Sequence, residues 1–257
     1  MNETKTERRS FGKWLRDEFT LTKILLRSIP APVVALFVIS VIAMNILANK
    51  TLVQTTYLAI DGGILISWLS FLSMDIVVKH FGPKASNRMS MFAIITNLLV
   101  CLIFFIASII PSKADDYTVF NQIIGGTWFI LLSSTVAFIC SALINNGLNF
   151  AVGKLFKKNP DGKLAFFTRS YVSTFIGQFA DNLIFAILTF MIFAPIFWDG
   201  FHWTFIQCVT CSLLGALLEL VMEAIFSPIG YIIVKKWREN NVGEAYFTYL
   251  NRGEELC

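Results

Sequence analysis

Charge is scarce in this chain. Only 15% of its 257 residues are Asp, Glu, Lys or Arg, against about 25% in an ordinary soluble domain. With 56% hydrophobic residues and a mean hydropathy of +0.66, that scarcity excludes a disordered chain, a collagen-like fibre and an ordinary soluble enzyme. The 21 Lys and Arg residues form no long polar run with interleaved aromatics, so nucleic acid is not an expected partner. A Gly-x-x-x-x-Gly-Lys-Ser/Thr loop is absent, and with it any phosphate cradle of the chain's own for ATP. Histidine is reduced to His80 and His202, with no His-Glu-x-x-His and no Gly-x-Ser-x-Gly elbow, so nothing argues for an enzyme and no cofactor is implied. The five cysteines, Cys101, Cys140, Cys208, Cys211 and Cys257, are odd in number and most lie in apolar stretches. They read as small core hydrophobes rather than a disulfide framework. The Cys208-x-x-Cys211 pair lacks a second pair of ligands, which argues against zinc.

What the chain has instead is six apolar runs, at residues 31–49, 58–78, 89–110, 123–152, 172–197 and 205–234. A helix of about 20 residues crosses a hydrocarbon core of about 30 Å. The expected fold is therefore an all-α integral membrane protein, a six-transmembrane-helix bundle with no large soluble domain beside it. Residues 1–29 form an N-terminal tail, 30–234 the membrane domain and 235–257 a C-terminal tail. The fourth and sixth runs are longer than needed, so they tilt or begin outside the core. Gly125-Gly126 offers a late start for the fourth, and Pro228 a kink in the sixth.

Basic residues set the expected orientation. The first tail and the 2–3, 4–5 and C-terminal segments together hold 19 Lys and Arg, while the opposite loops hold only Lys50 and Lys113. Cytoplasmic segments carry such an excess, so both termini are expected in the cytoplasm and the protein in the cytoplasmic membrane. The first run is too long for a signal peptide, and no Ala-x-Ala site follows it. Before it, Phe11, Trp14, Leu15 and Phe19 recur at helical spacing among Lys13, Arg16, Asp17 and Glu18, the pattern of a short helix on the inner leaflet. Of the 25 Phe and six Trp, most face lipid or pack the bundle, and Trp198 and Trp203 fit an outer aromatic belt.

Function is sought among the polar exceptions. A charge at mid-membrane costs at least about 2.5–3.5 kcal/mol, which makes each one a functional candidate. Five acids qualify: Asp61, Asp75, Asp181, Glu219 and Glu223. Asp61 is read either as a residue at the wet outer boundary or as part of a site. Asp75 stands four before Lys79, the spacing of a helical ion pair, so its structural reading competes with a site role. Asp181 shares a face with Gln178 and Asn182, and a carboxylate flanked by amides on one stripe is a hydrogen-bonding surface. Glu219 and Glu223 are four apart on one face; two carboxylates that close cannot both ionise cheaply, which suits coupling to protons. The alternative is that either pairs with a Lys or Arg from another helix. The fourth run adds Asn145, Asn146 and Asn149. Asn146 with Phe150 matches Asp181 with Phe185, a hint of an internal repeat.

A carboxylate accepts two parallel N–H bonds, and Asn and Gln supply donors and acceptors. Together they complement the edge of a guanine-like base, with Phe to stack its ring. The same set equally holds another small heterocycle or a polar vitamin. The expected partners are thus a small planar polar solute and the lipid bilayer.

Two stretches carry a resemblance. Met74-Asp75-Ile76-Val77-Val78-Lys79-His80-Phe81-Gly82, followed by Lys84 and Arg88, resembles the end of the second span in the queuosine-precursor transporter family, also called vitamin uptake transporters. Ser173-Thr174-x-x-Gly177-Gln178-x-x-Asp181-Asn182-x-x-Phe185 is similar to that family's Ser-Thr-x-x-x-Gln-x-x-Asp signature. Asn45, Gly63, Arg169 and Pro228 also fit, and the likeness runs over roughly residues 30–235. It implies import of 7-cyano-7-deazaguanine or 7-aminomethyl-7-deazaguanine. It also implies a six-helix architecture similar to the substrate-binding subunits of energy-coupling-factor transporters. By position it makes Asp75, Gln178 and Asp181 the leading site residues, beside Asn182, Asn146 and Asn45, with Glu219 and Glu223 as proton carriers. The chain departs from the family in having Asn146 in place of an Asp, Trp68 in place of a Pro, and Glu219 near a frequent Lys. Losing one carboxylate and gaining another retunes the pocket. A stand-alone importer is the first reading. The second is a binding subunit for a vitamin or nucleobase that works with a separate ATP-driven module, for which Ala31-x-x-x-Ala35 offers a small-residue docking face. A homodimer is a further arrangement left open.

Overall fold

A computed structural model describes residues 11–111, 118–155, 163–198 and 200–254. An amphipathic helix α1 (Phe11–Ser28) leads into α2 (Ala31–Leu47) through a bend of 108°. Pro30, which has no N–H to continue the first helix, marks the break. A two-stranded antiparallel hairpin follows, β1 (Thr51–Gln54) and β2 (Ala59–Asp61). Then come α3 (Ile64–Phe81), α4 (Pro83–Ile109), α5 (Thr118–Leu155) and α6 (Lys163–Ala186). α6 runs on through a π-helical stretch, Ile187–Phe193, into the single turn α7 (Ala194–Phe197). α8 (Phe205–Glu239) and α9 (Glu244–Glu254) complete the chain. Five of these helical segments, on α3, α4, α5, α6 to α7 and α8, are long and apolar enough to cross a membrane, and α2 joined to α1 makes a sixth.

Two expectations need correcting. The second span begins at Ile64, not at residue 58, because residues 59–61 pair with β1: Thr51 faces Asp61 and Gln54 faces Ala59. An apolar run alone does not distinguish strand from helix. The register is held where Gly62 donates its N–H to the Lys50 carbonyl at 2.8 Å. A Cβ at Gly62 would lie 2.6 Å from the Leu47 carbonyl oxygen, so only glycine allows this approach. The other correction concerns Trp203, which is 1% exposed and stacks on Phe190 at 3.8 Å rather than standing at an outer belt. Its backbone N–H donates to the Phe190 carbonyl, folding the segment before α8 back under the hairpin. Pro228 lies within α8, which continues through it to Glu239.

The helices turn large apolar side chains outward and bury small polar ones beside an apolar core. On α4, Ile95, Leu99, Leu102, Ile103 and Ile109 are exposed, while Ser86, Ser90 and Asn97 are buried. On α3, Ser67, Ser70 and Ser73 form a buried stripe and bond carbonyls of their own helix. In water this arrangement would be unstable. In lipid, apolar contact drives no association, and small residues let helices approach closely. α2 packs on α3, α4 and α5, α8 packs on α3 and α6, and α5 joins α4 to α6, which closes the bundle.

Its two ends differ. At the end carrying both terminal helices, α1 packs on α9, and the Arg88 guanidinium grips Glu18 of α1 at 2.5 and 3.0 Å while reaching Tyr246 of α9 at 3.4 Å. His80 Nε2 donates to the Val242 carbonyl at 2.8 Å amid Phe81, Trp237 and Phe247. At the other end the hairpin is pinned to α8: Gln207 donates to the Thr55 carbonyl and Thr210 to the Tyr57 carbonyl, both at 2.6 Å. Thr204 and Gln207 form a capping box there, which fixes where α8 begins. Between the two ends lies the polar interior.

Candidate functional site

A cavity of about 90 Å³ occupies this interior, nearer the hairpin end. A single water needs roughly 10–15 Å³ on that measure, so the space accommodates more than one solvent molecule. Five helices and the hairpin each bring a polar side chain to it: Asn45 from α2, Asp61 from β2, Ser67 from α3, Ser134 from α5, Asp181 and Asn182 from α6, and Glu219 from α8. Phe71 of α3 and Phe185 of α6 supply aromatic walls. Among the described residues, no Lys, Arg or His lines it.

Local chemistry explains how each group is presented. Asn45 is 1% exposed, and its Nδ2 donates to the Val41 carbonyl one turn back at 2.9 Å, leaving the amide fixed against its own helix. Asp61 receives the Gly63 N–H on Oδ1 at 2.7 Å, a turn that ends the hairpin and opens α3. Burial pushes the Asp61 carboxyl up to about 6, against the lowering effect of that backbone bond. Asp181 accepts the Ser141 hydroxyl on Oδ1 at 2.9 Å, which aligns it across the α5–α6 interface. Glu219 is 6% exposed, and its Oε2 has no hydrogen-bond partner among the described residues; the same holds for Nδ2 of the neighbouring Asn182. Buried polar atoms are rarely left unpaired. Here the two groups stand beside each other, the Asn182 amide next to the Glu219 carboxylate, and present a donor and an acceptor at the wall of one cavity.

Of the residues singled out in the sequence, Asn45, Asp181, Asn182 and Glu219 converge on the cavity. Gln178 does not line it: one turn before Asp181 on α6, its Oε1 is buried and unpartnered. Asp75 is placed differently again, in an ion pair with Lys79 at 2.6 Å and beside Gly230 of α8. The side chains of Asn146 and Glu223 lie outside the described residues. Asp61, whose two readings the sequence left open, takes part in the cavity. Ser134, Ser141 and Gly215 were not singled out beforehand. Nothing in their own residue types marks them; they matter through what they touch.

Gly215 shows this best. A Cβ there would stand 2.8 Å from Asn182 Nδ2, so the absence of a side chain on α8 is what lets the amide lie flat against the helix. Gly215→Ala is expected to displace the amide and lower solute affinity about 10-fold, the cost of roughly one hydrogen bond. It should do so without loss of folded protein, since Ala is the better helix former by about 1 kcal/mol. Paired measurements of binding and thermal stability separate the two effects.

No curated protein and no solved structure matches the chain. The model of the family described as "Putative vitamin uptake transporter" matches residues 61–233, from Asp61 of the cavity through Glu219 and on along α8. That is well over half of the chain, and the chain belongs to this family of multi-pass membrane transporters.

Proposed function

We propose that the protein imports a small planar polar solute, 7-cyano-7-deazaguanine or 7-aminomethyl-7-deazaguanine, across the cytoplasmic membrane, with both termini in the cytoplasm. The observation that carries this reading is the cavity lined by Asp181, Asn182, Asn45 and Glu219 together with Phe71 and Phe185. A deazaguanine edge offers adjacent N–H and amino donors, which a carboxylate accepts in parallel, and a carbonyl, which an amide N–H satisfies. The aromatic side chains cover its faces. The terminal orientation rests on the 19 basic residues of the segments on one side. The exposed Leu15 and Phe19 of α1 fit a helix lying on the inner leaflet. Import is driven by protons carried on Glu219, with Glu223 one turn further along α8.

Uptake of labelled base tests this. In cells that neither make the base nor possess their own importer, expression should restore queuosine to tRNA when either base is supplied. Persistently unmodified tRNA, with the protein shown to be in the membrane, would contradict it.

A second reading is favoured by one observation: Ala31 and Ala35 are exposed on the same face of α2, as a docking face for an energy-coupling module requires. On that reading the protein co-purifies from its native membrane with an ATPase, and uptake fails when it is expressed alone.

A further inference from the structure

Three carboxylates, Asp61, Asp181 and Glu219, line one cavity, and among the described residues no basic side chain lines it. Like charges held together away from water repel one another, so such a site favours the uptake of positive charge. Protons supply some of it. Yet the three acids are not equivalent. Asp181 and Glu219 lie close enough to interact and flank Asn182, making a composite edge of acceptors and one donor. Asp61 comes from the hairpin instead, with Cys211 of α8 facing it. Glu219 is nine-tenths buried with the Asn182 amide beside it, and its Oε2 has no hydrogen-bond partner among the described residues, which leaves an acceptor for a ligand.

We infer that the cavity selects a planar base bearing a primary ammonium, with Asp61 as the acceptor of that ammonium and the Asp181–Asn182–Glu219 edge reading the base. This rests on the function proposed above and narrows it to the aminomethyl compound. The chemistry of the two substituents decides it. An ammonium carries three donors and a full charge at neutral pH. A nitrile nitrogen only accepts, and the negative end of its dipole would face a carboxylate. Asp61 therefore attracts one substituent and repels the other.

Equilibrium binding of both bases to the purified full-length protein at pH 7.5 tests the inference. The wild type should bind the aminomethyl base at least about 10-fold more tightly than the cyano base, the value of one charge-assisted hydrogen bond. In Asp61→Asn, whose amide oxygen still accepts the Gly63 N–H, the ratio should collapse towards one. Asp61→Glu keeps the charge and should keep the preference. Because the carboxyl titrates at about 6, the wild-type ratio should also shrink as pH falls through that value, when the neutral acid no longer attracts a cation. Among the described residues, the other titratable groups lining the cavity are Asp181, Glu219 and Cys211, and they remain in Asp61→Asn. A wild-type ratio near one, or a ratio that survives in Asp61→Asn, would overturn the inference while leaving the importer reading intact. Failure of the wild type to bind either base would sink both.

Discussion

Asp181→Asn should abolish import while leaving the protein in the membrane at its normal level. The substitution is nearly isosteric, and the amide oxygen still accepts the Ser141 hydroxyl that now bonds Oδ1 at 2.9 Å, so the α5–α6 contact is kept. What changes is the other oxygen. It becomes an NH₂ group, which meets the donors of a base edge with donors of its own. Removing one partner of a buried charged hydrogen bond costs about 2–5 kcal/mol, much of it the penalty of leaving the other group unpaired. A bidentate contact loses more, so affinity should fall about 100-fold or more. Initial uptake rates in cells, normalised to membrane-inserted protein, measure this. Undiminished uptake would remove Asp181 from the site.

Glu219→Gln should have a different signature. In the proposed mechanism this residue carries the proton, so the variant should bind solute yet fail to concentrate it. Its position suits both duties: it lines the cavity beside Asn182 and is 6% exposed, where a lone charge is costly. Gln retains the size and an acceptor but cannot change charge. Vesicles loaded with unlabelled base should therefore still exchange it for labelled base, whereas accumulation driven by an imposed pH gradient should be lost almost completely. Gradient-driven accumulation at the wild-type level would assign the proton to another group or the energy to another source.

How much of this was legible beforehand depends on how costly each residue would be in the wrong place. Asp181, Asn182 and Glu219 stood out because charge and amide groups in apolar runs are expensive in lipid, and all three reach the cavity. Asp75 carried its own explanation in Lys79 at i+4, and that pair forms. The hairpin was hidden. Leu58-Ala59-Ile60 is as apolar as the helix after it, and hydropathy alone does not tell a short hairpin strand, here paired with residues 51–54, from the start of a helix. Misplacing the start of the second span left Asp61 ambiguous, although the acid itself was plain to see. Trp203 went astray for a related reason. Aromatic residues near span ends usually anchor at the interface, but here a backbone bond to Phe190 draws the ring inside. Gly215 and Ser141 were invisible because their roles are relational: one is defined by the amide it leaves room for, the other by the carboxylate it aligns. Gln178 shares a helical stripe with Asp181, yet a stripe fixes direction and not depth, and the cavity lies one turn further along α6.

The central claim is that solute is held where Asp181, Asn182 and Glu219 meet Phe71 and Phe185. A structure of the protein with the aminomethyl base bound tests it most directly. The account predicts the base ring between the two phenylalanines, its N–H edge on the Asp181 carboxylate and its ammonium within hydrogen-bond distance of Asp61. A base bound elsewhere, or in this cavity with its donor edge turned away from Asp181, would contradict it.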